Sequence, residues 1–209
     1  MSFRHTSATN LCRFPARPEK LSAGRYRRYV PRPPRVQVAG GLYHVTQRST
    51  DQEILFADLY DRVGFEQLLR RTATRYAWEI HDYCQLTNHF HLLVLTREPT
   101  IAVGMQYLNA RHVEGYNGRH GRRGTLVEGR YGAELVETEQ HYLQARGYIA
   151  FNPVGAGLVR DPADWSWSGF GGGGKVAPRP DERMKRFVRA YCARRATLRD
   201  MALRGVSGL

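Results

Sequence analysis

The spacing of apolar and polar residues changes period several times along this chain, and each change marks an element. Leu42-Tyr43-His44-Val45-Thr46-Gln47-Arg48 alternates with a period of two after Gly40-Gly41, which predicts a first strand. The period then lengthens. Leu59, Val63, Phe65, Leu68, Leu69 and Thr72 give a helical apolar face, with Asp58 or Asp61 as its cap. Residues 78–86 read as a second strand, Thr87-Asn88 as a turn, and residues 89–95 as a third strand closing a hairpin. Pro99-Thr100 opens a second helix through Val103, Met105, Leu108 and Val113, ending near Gly118. Residues 130–136 predict a fourth strand. Thr138 then caps a third helix carrying Tyr142, Leu143, Ala145, Tyr148, Ile149 and Asn152, and Pro153 is expected to stop it.

The order β-α-β-β-α-β-α predicts an α+β fold of the ferredoxin-like split βαβ kind. Its sheet is expected to have four to five antiparallel strands with helices packed on it. Residues 1–35 are basic and without apolar period, and are expected to be a disordered extension. Residues 36–170 form the expected body. In residues 171–209, Gly171-Gly172-Gly173-Gly174 predicts a flexible joint before a basic helical tail.

Composition narrows the classes. The chain has 209 residues, 42% of them hydrophobic, enough for one domain with a buried core. No run of 18 apolar residues exists to span a membrane, and the basic N-terminus lacks the apolar block of a signal peptide. Cys12, Cys84 and Cys192 are far apart and odd in number. That argues for a reducing cytosol and against a disulfide framework or zinc knuckle. The net charge of +13 is uneven: residues 1–35 carry nine basic residues against one acid, residues 170–209 carry ten against three, and the middle has a net charge of −2. A near-neutral body with basic ends points to a polyanionic partner, nucleic acid before others.

The candidate chemistry begins with Thr87-Asn88-His89-Phe90-His91-Leu92-Leu93-Val94-Leu95. In a strand His89 and His91 project to one face while Phe90, Leu92 and Val94 point into a core. Two neutral imidazoles side by side are half of a site for a divalent metal; the competing reading is one core histidine and one surface histidine. Tyr148 and Asn152 lie four apart and share a helical face. If that face packs over the histidine strand, Asn152 could complete a His89, His91, Asn152 site for Mg2+ or Mn2+ with a phosphate oxygen in an open position. Beside such a cation the Tyr148 phenol ionises more easily and becomes a plausible nucleophile. Taken alone, Tyr148 is more commonly a half-buried helical tyrosine.

The sequence then shows a resemblance. Gly41-Leu42-Tyr43-His44-Val45-Thr46, Asn88-His89-Phe90-His91-Leu92-Leu93-Val94, Gly129-Arg130-Tyr131, Tyr148-Ile149-Ala150-Phe151-Asn152-Pro153-Val154, Gly157-Leu158-Val159 and Asp164-Trp165-Ser166-Trp167-Ser168 stand in a telling order and spacing. The set resembles the REP-associated tyrosine transposases of the single-tyrosine HUH transposase superfamily, related to insertion-sequence transposases, over about residues 31 to 170. The resemblance implies His89 and His91 as metal ligands, Asn152 as the third ligand, and Tyr148 as nucleophile. It implies cleavage of single-stranded DNA through a 5′-phosphotyrosine link with a free 3′-OH, followed by strand transfer. The implied partner is single-stranded or hairpin DNA carrying palindromic repeats, with no membrane, in a bacterial cytoplasm near the nucleoid. A monomer is expected, and a dimer stays open.

Arg48, Arg111, Arg119, Arg122, Arg123 and Arg130 are candidates for DNA contacts. Tyr43 and Tyr131 could stack on bases or pack in the core. Two alternatives stand beside this reading. One is a DNA-binding protein of the same fold that has lost catalysis. The other is an unrelated His-x-His metal-dependent hydrolase using Cys84 or an acid.

Overall fold

The computed structural model describes residues 37–172 and 176–205. The expected disorder of the N-terminal extension lies outside those residues, as do Gly173 and Gly174 of the expected joint. The elements run β1 (Gly41–Arg48), α1 (Leu59–Tyr76), β2 (Trp78–Gln85), β3 (His89–Thr96), α2 (Ile101–Arg119), β4 (Gly132–Leu135), α3 (Glu139–Gly155) and α4 (Glu182–Gly205). The strands form one sheet in the order β2-β3-β1-β4, every neighbouring pair antiparallel. This is the split βαβ arrangement that the element order predicts, with four strands.

Local chemistry sets the boundaries. Asp58 caps α1 by accepting from the Asp61 backbone N–H at 2.9 Å, and Ala77 ends it in the left-handed region at φ 52°. Thr138 caps α3 by accepting from the His141 N–H at 3.1 Å. The expected stop at Pro153 is corrected: α3 runs on to Gly155. In the last turn the missing proline N–H costs a single hydrogen bond, and the Ala156 N–H still reaches the Asn152 carbonyl at 2.9 Å. Leu59 and Val63 do not join the buried face of α1; they are 58% and 36% exposed. At 3.6 residues per turn Val63 stands roughly 160° round the helix from Phe65, so both cannot face the sheet.

The sheet has two covered faces. Tyr43, Val45, Phe90, Leu92 and Val94 pack against Phe65, Leu68 and Leu69 of α1 and Ile101, Met105 and Leu108 of α2. On the opposite face Cys84, Leu86 and Leu93 meet Ala145 and Ile149 of α3. Tyr43 and Tyr131 belong to the first core, 2% and 8% exposed, so neither is placed to stack on a base. Behind α3, Met184, Val188 and Cys192 of α4 pack against Ala150 and Phe170, so the expected tail is part of the body. Nor do the first two glycines of the expected joint act as a hinge. A Cβ on Gly171 would lie 2.3 Å from the Trp165 carbonyl oxygen, and one on Gly172 would lie 2.3 Å from that of Ser168. Close backbone approach requires glycine at both.

Candidate active site

The face of the sheet under α3 is where apolar packing gives way to chemistry. Along β1 it carries Leu42, His44, Thr46 and Arg48; along β3 it carries His89, His91 and Leu93. Register sets Thr46 opposite His91 and Arg48 opposite His89. From above, α3 lowers Tyr148 onto this patch. The Tyr148 ring stands edge-on to His91 at 5.4 Å between centroids and to His44 at 5.7 Å. His89 and His91 stand 5.1 Å apart. One turn on, Asn152 donates its Nδ2 to the Tyr148 carbonyl at 2.8 Å, and its side chain lies close to both imidazoles. The fold thus brings His89, His91, Tyr148 and Asn152 together.

The hydrogen bonds orient the imidazoles. His89 Nδ1 lies 2.8 Å from the Asn88 side-chain oxygen, an acceptor, which assigns the ring proton to Nδ1 and bares Nε2. His91 Nδ1 has Thr46 Oγ1 at 3.1 Å and His44 Nε2 at 3.2 Å. His91 Nε2 is buried and has no hydrogen-bond partner. Burial pulls the proton affinity of His89 down to a pKa of about 4, with the Arg48 charge adding to it. Burial does the same to His91, well below the usual value, helped by His44, His89 and Arg48. Both rings are therefore neutral near pH 7, the state in which imidazole binds metals. An orphaned buried nitrogen, a second nitrogen bared by its neighbour and a carboxamide close by fit a divalent cation.

One ion pair holds α3 in place. Buried Arg146, two residues before Tyr148, donates its Nε to Asp82 Oδ2 at 3.2 Å and its Nη1 to the Tyr142 hydroxyl at 3.3 Å. Burial lifts the Asp82 carboxyl to about 6, with Arg146 opposing the rise.

Tyr148, 39% exposed, opens onto a groove of about 970 Å³. Its sheet side includes His44, Arg48 and Glu134, and its far wall is Phe187, Tyr191, Arg194 and Arg195 of α4. That wall escapes the sequence reading. The signal was Gly147, a glycine inside a helix beside the nucleophile candidate. A Cβ there would lie 2.8 Å from the Tyr191 ring, so α4 reaches the site only because residue 147 has no side chain.

The arginine candidates divide. Arg48 lines the groove, and Arg130 is exposed just before β4. Arg123 is exposed on the loop after α2. Arg111, on α2, pairs with Glu114 at 2.6 Å. Arg119 binds Asp58 and Asp61, and Arg122 binds Glu53 and the Thr125 carbonyl. Asp58, Asp61 and His120 bring their ligand atoms within 4.8 Å of one another, but the Arg119 guanidinium already bonds both carboxylates. Cys84 is fully buried and its thiol is pushed far up by burial, which disfavours the thiolate a hydrolase would need. Among the described residues, no helix is long and apolar enough to cross a membrane.

No family model matches the chain. A Haemophilus influenzae protein described as a REP-associated tyrosine transposase is 26% identical over 143 residues, covering 63% of this chain and 80% of that protein. A solved REP-associated tyrosine transposase bound to a REP hairpin superposes with a TM-score of 0.58 at 18% identity, covering 68% of this chain and 83% of the other. A Deinococcus radiodurans protein described as a transposase gives a TM-score of only 0.40 at 20% identity, covering 56% of this chain. In sequence the chain is a relative of the REP-associated tyrosine transposases, and its four-stranded sheet with packed helices is their fold.

Proposed function

We propose that this protein is a metal-dependent single-stranded DNA endonuclease and strand transferase, a transposase acting on hairpin-forming palindromic DNA. The observation that carries the reading is the edge-on seating of Tyr148 on His91 at 5.4 Å, with Asn152 one turn on and close to both imidazoles. The relative solved on a REP hairpin supports hairpin DNA as the substrate.

His89 Nε2, His91 Nε2 and the Asn152 carboxamide would hold Mg2+ or Mn2+. When bound, the cation withdraws electron density from a phosphoryl oxygen and offsets the charge that develops there. The remaining steps belong to the chain. Tyr148 presents its hydroxyl oxygen to the phosphorus. An O–P bond forms, the P–O3′ bond breaks, and the tyrosyl proton is released as the 3′-oxygen takes up a proton to leave as a hydroxyl. A 3′-hydroxyl attacking the phosphotyrosine reverses these changes, so rejoining needs no nucleotide cofactor. Arg48 lies nearest the histidines and suits a phosphate beside them; Arg123 and Arg130 are exposed candidates further out. Arg111, Arg119 and Arg122 must exchange acidic partners for DNA.

Labelled single-stranded hairpin DNA incubated with the protein and Mn2+ is expected to give a covalent adduct on a denaturing gel. An adduct whose DNA-linked peptide excludes Tyr148 overturns the reading.

A further inference from the structure

His44 has no part in the scheme above, yet it touches two of that scheme's residues. It sits on β1 with its side chain partly buried under α3. Its ring stacks on His91 at 5.3 Å and meets Tyr148 edge-on at 5.7 Å. Its Nε2 lies 3.2 Å from His91 Nδ1. Across the sheet it pairs with Glu134 of β4. Glu134 in turn has His141 Nε2 at 3.6 Å.

The nitrogens decide what these contacts do. A neutral imidazole carries one proton, on Nδ1 or on Nε2. For His91 to offer Nε2 to a cation, the proton must sit on Nδ1, and a partly desolvated N–H there needs an acceptor. Two groups are within reach, Thr46 Oγ1 at 3.1 Å and His44 Nε2 at 3.2 Å. A hydroxyl both donates and accepts, so Thr46 alone tolerates either proton position on His91. His44 accepts on Nε2 when its own proton is on Nδ1. In that form His44 offers only a lone pair at Nε2, so it holds the His91 proton on Nδ1 where Thr46 does not.

We propose that His44 is a positioning residue of the site: it accepts the Nδ1 hydrogen of His91, keeps His91 Nε2 bare for the cation, and backs the ring of Tyr148. This rests on the proposed function, since it assigns His44 a role at that metal site.

The test compares His44→Phe, which keeps a ring beside Tyr148 but has no acceptor, with His44→Gln, which keeps an amide oxygen within reach. In metal-free protein, long-range nitrogen–proton NMR spectra read the His91 tautomer. Wild type and His44→Gln are expected to hold the proton on Nδ1, and His44→Phe to show a mixture. Titration with Mn2+ alone, followed by calorimetry, should find affinity about 10- to 100-fold weaker in His44→Phe. In His44→Gln it should stay within a few-fold of wild type.

A Phe variant that keeps the pure tautomer and wild-type affinity overturns the role of His44 while leaving the metal site standing. A Gln variant as weak as Phe overturns it too, because shape rather than the hydrogen bond would then matter. Wild-type protein that takes up no Mn2+ overturns both this inference and the proposed function.

Discussion

The two faces of the sheet are built from the same strands and have opposite characters. Toward α1 and α2, β1 and β3 present Tyr43, Val45, Phe90, Leu92 and Val94, and some polar groups packed among them find partners. Buried His112, for instance, bonds the Leu55 carbonyl through Nε2 at 3.1 Å. Toward α3, the same two strands present His44, Thr46, His89 and His91, and one ring nitrogen is left buried without a partner. Alternation along a strand makes this possible: a period of two lets one face be optimised for stability and the other for chemistry without compromise at any position. Unmatched polarity costs free energy, and at His91 it falls where a ligand can make it good.

Substitutions should separate the faces. The largest effect is expected from Tyr148→Phe. It should abolish cleavage and adduct formation on a denaturing gel, because no neighbouring group replaces a covalent nucleophile. Hairpin binding should persist and the melting free energy should fall by no more than about 1 kcal/mol, the worth of one hydrogen bond. Residual adduct in that variant would break the assignment.

Phe90→Ala, one residue from either histidine but on the other face, should do the reverse. Phe90 is fully buried against Phe65 and Phe56, so its loss should cost about 3–5 kcal/mol in a denaturant titration. Below its melting point that variant should still form the adduct. If it folds as stably as wild type, the division of labour between the faces is wrong.

Acid should expose the matched face. Burial holds the folded pKa of His112 at about 4, against 6.5 for the free side chain. Between those values the unfolded chain takes up a proton that the folded chain refuses. The contribution is fully present above pH 6.5 and is lost as pH falls toward 4, at up to about 1.4 kcal/mol per pH unit. His112→Gln should flatten that slope in melts from pH 7 to pH 4.5. Added Mn2+ should not, since it binds on the other face. An unchanged slope in His112→Gln would count against the burial argument.

The smallest effect is expected at Gly147. Gly147→Ala gains about 1 kcal/mol of helix propensity but puts a methyl group 2.8 Å from the Tyr191 ring. The two should nearly cancel in a thermal melt, while the displaced α4 wall lowers hairpin affinity. A variant with wild-type hairpin affinity would show that the wall is not part of the groove that DNA enters.

Much of this was legible in the sequence, for reasons particular residues make plain. His89 and His91 share a face because of strand periodicity, Tyr148 and Asn152 because of helical periodicity, and each signal is local. Leu59 and Val63 were misread because apolar residues at a helix start satisfy the same spacing whether or not the sheet extends beneath them. His44 went unassigned because in β1 it is one polar residue in an alternation; its meaning comes from His91 across the strand pair and Tyr148 on α3. Nothing between residues 182 and 205 says that Tyr191 and Arg194 will line a groove, since that depends on how α4 docks on α3. The glycines at 171 and 172 read as a hinge, because sequence does not distinguish a glycine that frees the chain from one that lets two backbones touch.

The buried Asp82–Arg146 pair bears on aiming. A helix lying on a flat sheet of apolar side chains is free to roll about its axis, since such contacts have little directional preference. At a helix diameter of about 10–12 Å, a roll of roughly 10° carries a side-chain tip by about 1 Å. A misplacement of that size can cost a reaction about 100-fold. Arg146 lies within the same turn as Tyr148 and is bonded both to β2 through Asp82 and to its own helix through Tyr142. The pair thus works as a keyway, setting the angle at which α3 seats and with it the bearing of the phenol, a tolerance that hydrophobic contact alone would leave open.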